Sequence, residues 1–476
     1  MRTVAKLCLW LALLTLPLSA RATKLRFDFD GYVASDLRFV VDKRIVGDND
    51  GLVFYRNENV LRLKLEGTYG NVKGVADIRL FARGFSNTFT IGDLSVREKL
   101  DPFHIEIDSA YVSINDFFVK NLEIVVGRKI VSWGAADIFN PTDNINPDDL
   151  EDPLKFGENI ANNIVQIKYT PSKYFNLEVV WVPVFRAAQV PPWTIIGFDD
   201  PKLINIRPRD VKEKVFNFYD LRQGLAAKGA VFLTNGRVFL PKTSAANSMV
   251  GTKISSTVGT FDLSLSYFYG RDDLPLPRRA TATIGTSSDG NAEITTDVEL
   301  EFPKMQVFGF DISGDLTFLW NIGFRAEFAL FLPERRRMVF AFPIVGDSEA
   351  TIVPSTPFWK MTIGLDYTFT SWLYMQVMVL RGFIDEFGHG NMQWYVVLGA
   401  DMKFFNDKLL FRLFAVMNAE DASTILYPQI TLKPWNNMEL AVGALIYIAG
   451  KGGSDSKFGH PVAGPGQVFL QAKFQF

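Results

Sequence analysis

The strongest constraint on this chain is an alternation of apolar with polar or small residues, recurring in segments of roughly ten residues from Leu25 to the terminal Phe476. In Phe358 to Phe369, Trp359, Met361, Ile363, Leu365, Tyr367 and Phe369 hold one parity against Lys360, Thr362, Gly364, Asp366 and Thr368. Trp394 to Phe404, Leu409 to Met417 and Met438 to Ile448 repeat the pattern. Side chains of a strand point alternately to its two faces, so each segment has one greasy and one polar face. A soluble sandwich alternates in the same way, so the connections have to decide between architectures.

Tight links fall at Gly70-Asn71, Asn115 to Asn121, Pro171 to Tyr174, Val258-Gly259, Asp315, Thr370 to Trp372, Asn406-Asp407 and Pro434 to Asn437. Between them lie longer polar segments: 43–56, 86–102, 132–161, 187–248, 271–303, 333–357, 384–391, 419–422 and 450–465. Short turns on one rim and long loops on the other are the plan of an outer-membrane barrel. The count gives an all-β, antiparallel transmembrane barrel of about 18 strands, an even number that returns the chain to the rim where it began.

The N-terminus agrees with export. Arg2 and Lys6 precede an apolar run from Leu7 to Leu18, and Ala20-Arg21-Ala22 reads as a cleavage site, so residues 1–22 form a predicted signal peptide and 23–476 the barrel. Cys8, the only cysteine, falls in that leader, which excludes disulfides, cysteine-ligated zinc and a cysteine nucleophile from the mature chain. With 48% hydrophobic residues and 42 Phe, the chain still has no later apolar stretch approaching a spanning helix. Its formal net charge of −2 gives no reason to expect a nucleic-acid partner.

A charge facing lipid at mid-depth costs on the order of 2 to 4 kcal/mol, so the polar parity must face the lumen. That rule predicts pore-lining positions for Arg62, Lys64, Glu66, Asp77, Arg79, Arg83, Glu106, Asp108, Lys168, Arg325, Glu327, Asp366, Asp401, Lys403, Arg412, Glu439 and Lys473. Both signs occur in similar numbers, which argues against a strongly one-signed ion filter. In the last strand Val468, Leu470, Ala472, Phe474 and Phe476 share a parity. Phe474 and Phe476 thus make an amphipathic, Phe-ended strand that resembles the signal read by the outer-membrane assembly machinery.

One stretch is more distinctive: Val126-Gly127-Arg128-Lys129-Ile130-Val131-Ser132-Trp133-Gly134, then Asn140-Pro141-Thr142-Asp143 and Asn146-Pro147-Asp148-Asp149. It resembles the signature of a broad family of largely uncharacterised proteobacterial outer-membrane barrels, in which a G-R-[QK]-x-V-x-W-G strand end runs into an N-P-x-D loop. More distantly it is similar to porins of the alginate-export type. A weaker echo lies at Gly309-Phe310-Asp311 and Arg325-Ala326-Glu327. The resemblance implies a Gram-negative outer-membrane location and a transport or secretion role, without a substrate.

Pro fixes φ and Asn tolerates turn geometry, so the Asn-Pro pairs predict a stiff loop able to fold into the pore. Asp143, Asp148, Asp149, Glu151 and Asp152 make that loop acidic. A calcium site is one reading, and a solvated acidic loop the favoured one, because the spacing lacks the EF-hand glycine and glutamate pattern. The longest loop, 187–248, is expected to hold structure of its own, with an amphipathic helix over 209–225 carrying Val211, Val215, Phe218 and Leu221, and to narrow the barrel. Arg278-Arg279 and Arg335-Arg336-Arg337 lie in predicted external loops, where lipopolysaccharide phosphates are the expected contact.

The function these features favour is a porin-like channel moving a polar or amphipathic solute, such as a saccharide, through a loop-narrowed lumen, with lipid, lipopolysaccharide and the assembly machinery as partners. No cofactor and no metal are required. A carrier of hydrophobic compounds is the alternative, with Val397, Phe414 and Phe469 as apolar residues on the inward parity, and a non-conducting scaffold or adhesin is another. A hydrolase is disfavoured because His104, His389 and His460 lack an adjacent nucleophile.

Overall fold

The computed structural model describes residues 24–41, 53–88, 90–136, 138–191, 194, 213, 217, 220, 223–342, 346–460 and 463–476. The leader at 1–22 lies outside them, as do Val211, Val215, Phe218 and Leu221 of the expected helix. In chain order the strands are β1 (Arg26–Val40), β2 (Val53–Tyr69), β3 (Val72–Arg83), β4 (Phe103–Ile114), β5 (Leu122–Lys129), β6 (Asn162–Ser172), β7 (Phe175–Val182) and β8 (Val231–Phe239). There follow β9 (Met249–Val258), β10 (Phe261–Arg271), β11 (Leu276–Thr286), β12 (Ala292–Glu301), β13 (Lys304–Leu316), β14 (Ile322–Pro333), β15 (Arg336–Phe342) and β16 (Gly346–Val353). The last are β17 (Phe358–Thr370), β18 (Leu373–Arg381), β19 (Trp394–Phe404), β20 (Leu409–Asn418), β21 (Thr424–Trp435), β22 (Met438–Ile448) and β23 (Gln467–Gln475).

Eighteen of these form one antiparallel ring, the number and sense the alternation predicts. Its cyclic order is β1 to β7, β9, β10, β13, β14, then β17 to β23. Closure comes from β23 pairing with β1, Tyr32 opposite Gln475 through Val40 opposite Gln467. Phe476 finishes the seam: its N–H donates 3.0 Å to the Gly31 carbonyl, and its ring stacks on Phe29 at 5.9 Å. A closed ring leaves no unpaired edge, as a wall in lipid requires.

The outer parity is apolar and uncovered: Leu65, Ile105, Val126, Leu265, Leu398 and Leu470 are all exposed. A water-soluble surface does not present such a continuous belt, whereas a hydrocarbon-facing wall must. Aromatic rings gather near both rims, with Trp359 and Trp394 at 6.1 Å on the long-loop side and Trp372 and Phe404 at 5.9 Å on the short-turn side. The tight links use residues that tolerate positive φ, among them Asn121, Asn321, Asn406 and Asp407.

The loops are more ordered than connections need to be. β8, β11, β12, β15 and β16 leave the ring and form a second, five-stranded sheet of order β16-β15-β11-β12-β8. The described part of the longest loop thus contributes β8 to an outer sheet. Ala280, Met338, Phe340, Ala350 and Ile352 of this sheet share one apolar cluster with the inward residues Val180, Met249, Phe268, Val307 and Phe331 of the ring. Its basic residues are largely ion-paired within the sheet: Arg278 to Glu299 at 2.9 Å, Arg336 to Glu301 at 3.1 Å and Arg337 to Glu349 at 3.2 Å.

Candidate constriction site

The inward parity of β1 to β4 carries a ladder of opposite charges. Arg62 Nε donates 2.8 Å to Asp77, Lys64 lies 2.8 Å from Glu66, which also takes Lys73 at 2.6 Å, and Arg79 reaches Asp108 at 2.6 Å and Glu106 at 3.2 Å. Arg83 approaches Glu58 at 3.8 Å. Across the ring Arg325 faces Asp366 at 3.5 Å, Arg412 donates 2.7 Å to Asp401, and Lys433 meets Glu439 at 2.9 Å. Lys168 stands in register with Glu123 and Glu178, and Lys473 sits 4.6 Å over the Tyr32 ring. Lys403 is solvent-exposed near the short-turn rim. Cross-strand neighbours of opposite sign explain why both signs alternate along these strands.

The segment 130–161, which holds most of the signature motif, crosses the inside of this ring. At one end Asp152 is clamped by Arg38 of β1, Nη1 to Oδ1 at 2.6 Å and Nη2 to Oδ2 at 2.7 Å, while Arg56 of β2 holds Glu151 and approaches Asp152 at 3.4 Å. At the other, Glu327 of β14 accepts from the N–H groups of Ala135 at 2.5 Å and Ala136 at 2.6 Å and from the Thr142 hydroxyl at 2.8 Å. Thr362 of β17 donates 2.9 Å to the Phe139 carbonyl, and Trp133 Nε1 donates 2.9 Å to Glu178 of β7. Strands β2 and β14 are nine places apart in a ring of eighteen, and inward side chains reach the segment from both. A chain tied to opposite walls by inward side chains spans the lumen.

The sequence makes this segment stiff, as its Asn-Pro pairs predict. Asn146 Oδ1 accepts from the Val131 N–H at 3.0 Å, Asn162 Nδ2 donates 2.8 Å to the Ile145 carbonyl, and Asn159 Nδ2 donates 3.1 Å to Asp143. Asp143 N–H closes a turn onto the Asn140 carbonyl at 3.0 Å, with Pro141 inside it, and Ile160 N–H donates 2.8 Å to the Pro147 carbonyl. Gly127 is required by approach: at φ +135° its Cβ would stand 2.4 Å from the Ala110 carbonyl oxygen. Arg128 points the other way from Val125 and lies at the outer parity, opposite Asn163.

From β6 round to β22 the segment is sealed against the wall by apolar contact. Trp133 and Ile145 pack into the inward residues of β6 to β17. Phe139 lies 5.2 Å from Phe156 and 5.4 Å from Phe383, in a cluster with Leu380, Tyr395, Val397 and Val416. Val397 and Phe469, apolar on the inward parity, are fully buried and form packing rather than an exposed greasy lining. Along β2 to β4 the arrangement differs. Gly157 and Glu158 at the segment's turn are solvent-exposed, and on the wall Arg83 and Glu106 keep 51% and 39% of their side-chain surface in solvent. This is the side on which the segment and the wall keep polar groups in solvent.

The acidic residues Asp143, Asp148, Asp149, Glu151 and Asp152 are partly or fully buried, contrary to the favoured sequence reading of a solvated acidic loop. Burial pushes Asp143 up to about 8, with the Glu327 charge adding to it, and raises Asp148, where Asp273 and Asp143 contribute. Burial and Asp273 likewise lift Asp272 to about 7. Asp273 accepts the Asp148 N–H at 2.6 Å, so these groups join two loops. Burial would raise Asp152 as well, but the hydrogen bonds and charge of Arg38, with Arg56, bring it down to about 2. Glu158, although exposed on one side, is raised by partial enclosure on the other, opposed by the charges of Lys155 and Arg79. Among the described residues no three His, Cys, Asp or Glu side chains gather to hold a metal. His104 stacks on Phe81 at 4.3 Å with Nε2 3.1 Å from Glu106.

Sequence reasoning missed Arg38, Glu178, Thr362 and the Phe139 cluster as anchors. Arg38 shares the parity of Tyr32 and Asp36, so alternation alone places it inward. What it pairs with is a fact of the tertiary fold.

No protein-family model and no curated protein matches the chain. Among solved structures it is similar to Acinetobacter baumannii OccAB3, with 9% identity over 94% of this chain and 99% of that one and a TM-score of 0.50. It also aligns with Pseudomonas aeruginosa OccK11 (OpdR), 7% identical over 94% and 96% of the two chains, TM-score 0.48, and with the outer membrane channel DcaP of Acinetobacter baumannii, 10% identical over 95% and 97%, TM-score 0.38. The first of these likenesses is one of fold.

Proposed function

We propose that this protein is a passive outer-membrane channel whose solute path runs along β2 to β4, between the charged inner wall and the exposed turn at Gly157-Glu158. The observation that carries the reading is the asymmetry of the loop's seat, which is packed by apolar contact round most of the ring and keeps polar groups in solvent at Arg83, Glu106 and Glu158. A gap lined by paired charges offers donors and acceptors with little net field, which suits a polar, uncharged or zwitterionic solute such as a saccharide better than a strongly charged ion. No bond need be made or broken. The predicted leader and the Phe-ended last strand support export to, and assembly in, the outer membrane of a Gram-negative cell.

Reconstitution of the purified barrel in planar bilayers tests this. Discrete, non-rectifying steps with weak anion-cation preference are expected, and replacing Lys155 to Glu158 by a shorter turn should enlarge them. Silence in both proteins would favour a non-conducting scaffold.

A further inference from the structure

Glu327 is a carboxylate placed where a barrel wall has least use for one. It sits on the inward parity of β14, 1% exposed, and among the described ion pairs it has no cationic partner. The neighbouring Lys253 lies 3.4 Å from Asp311 instead. Among the described residues, the donors that meet its charge all come from one segment. Oε1 takes the N–H groups of Ala135 and Ala136, and Oε2 takes the Thr142 hydroxyl at 2.8 Å and the Thr142 N–H at 3.4 Å. Successive backbone N–H groups converging on an anion form a nest, and a buried charge left without them is costly.

Two glycines make room for it. Gly134, at φ +95°, would put a Cβ 2.6 Å from Glu327 Oε1, and a Cβ at Gly309 would stand 2.9 Å from Thr142 Cγ2. The tryptophan-glycine end of one motif and the Arg-x-Glu strand of the other, far apart in sequence, therefore form a single joint. We propose that Glu327 is the positioning residue of the constriction: it fixes the 134–142 limb against β13 and β14 and so keeps the wide arc of the lumen closed. The joint is defined by where the loop sits and does not depend on the barrel conducting.

The test reads loop seating directly. Thr362→Cys replaces a residue 2% exposed beneath the limb, and Val125→Cys replaces one that is 0% exposed on β5 and belongs to neither apolar cluster. Each is introduced into a mature chain otherwise free of cysteine and labelled with a membrane-impermeant thiol reagent in the folded barrel. Adding Glu327→Ala should speed labelling at Thr362→Cys on the order of tenfold or more, since several charge-assisted hydrogen bonds are lost, and leave Val125→Cys protected. Glu327→Gln, which keeps one acceptor oxygen and the side-chain size, should fall between. Gly134→Ala should act like Glu327→Ala, and the double variant should add little to either. Unchanged labelling at Thr362→Cys, an equal rise at both cysteines, or additive effects of Gly134→Ala and Glu327→Ala would overturn the proposal. Because no current is measured, these results stand apart from whether the barrel is a channel.

Discussion

The inner wall from β6 to β22 and the inner wall from β1 to β4 receive the same loop in opposite ways. The first meets it mainly with rings and aliphatic side chains around Trp133, Ile145 and Phe139, among which Glu178, Glu327 and Thr362 make buried hydrogen bonds, and the second with a guanidinium clamp at Asp152 and then leaves Glu158 exposed. Apolar contact seals because it excludes water over an area, whereas a salt bridge fixes one point and leaves its surroundings wet. Using both, a single loop can be immobile and still leave an aqueous path.

Breaking the polar clamp should have the largest effect. Arg38→Met strands Asp152, 3% exposed, without its main partner and is expected to cost about 4 kcal/mol, read as a fall in the urea midpoint of the barrel in lipid vesicles. Phe139→Ala attacks the sealed side by opening a cavity among Phe156, Phe383 and Leu380, and about 3 kcal/mol is expected in the same assay.

The two arcs should also part company in pH. A carboxyl raised on folding contributes its stability fully below its ordinary range and loses it as pH rises, which places the loss between about 4 and about 7 for Asp272 and between about 4 and about 8 for Asp143. Asp152, lowered to about 2, loses its contribution only in acid. Between pH 5 and 9 the joint of Asp143, Asp148, Asp272 and Asp273 should therefore weaken, and the Arg38 clamp should not. Asp272→Asn should flatten the decline in urea midpoint over that range, and a decline of the same slope in that variant would contradict the assignment. The smallest effect belongs to the exposed ladder: Arg412→Gln, removing a pair whose arginine is 46% exposed, should change stability by about 1 kcal/mol or less.

Much of this was legible in the alternation. Strand number, closure through Phe476 and all but one of the tight links follow from a period of two and from turn chemistry; the link expected at Asp315 falls instead at 317–321, with Asp315 still paired to Gly323 inside the ladder. The signature segment was legible as stiff, because Asn140-Pro141 and Asn146-Pro147 restrict the backbone locally. Its path was not. Whether Asp152 is solvated or clamped depends on Arg38, more than a hundred residues away, and whether Asp143 carries its proton depends on burial that periodicity does not encode. The outer sheet was hidden for a related reason: β8, β12, β11 and β15 pair across loops, two of these pairings are parallel, and no local signal announces such partners.

The central claim is that the path lies on one side of the loop. Glu106→Cys on β4 and Thr362→Cys on β17 place a thiol on each arc, in a mature chain whose only natural cysteine, Cys8, falls in the predicted leader. Single-channel current is then recorded while a bulky, charged thiol reagent is added. Stepwise block at Glu106→Cys with no change at Thr362→Cys is the predicted result, and block at Thr362→Cys with none at Glu106→Cys would contradict the account.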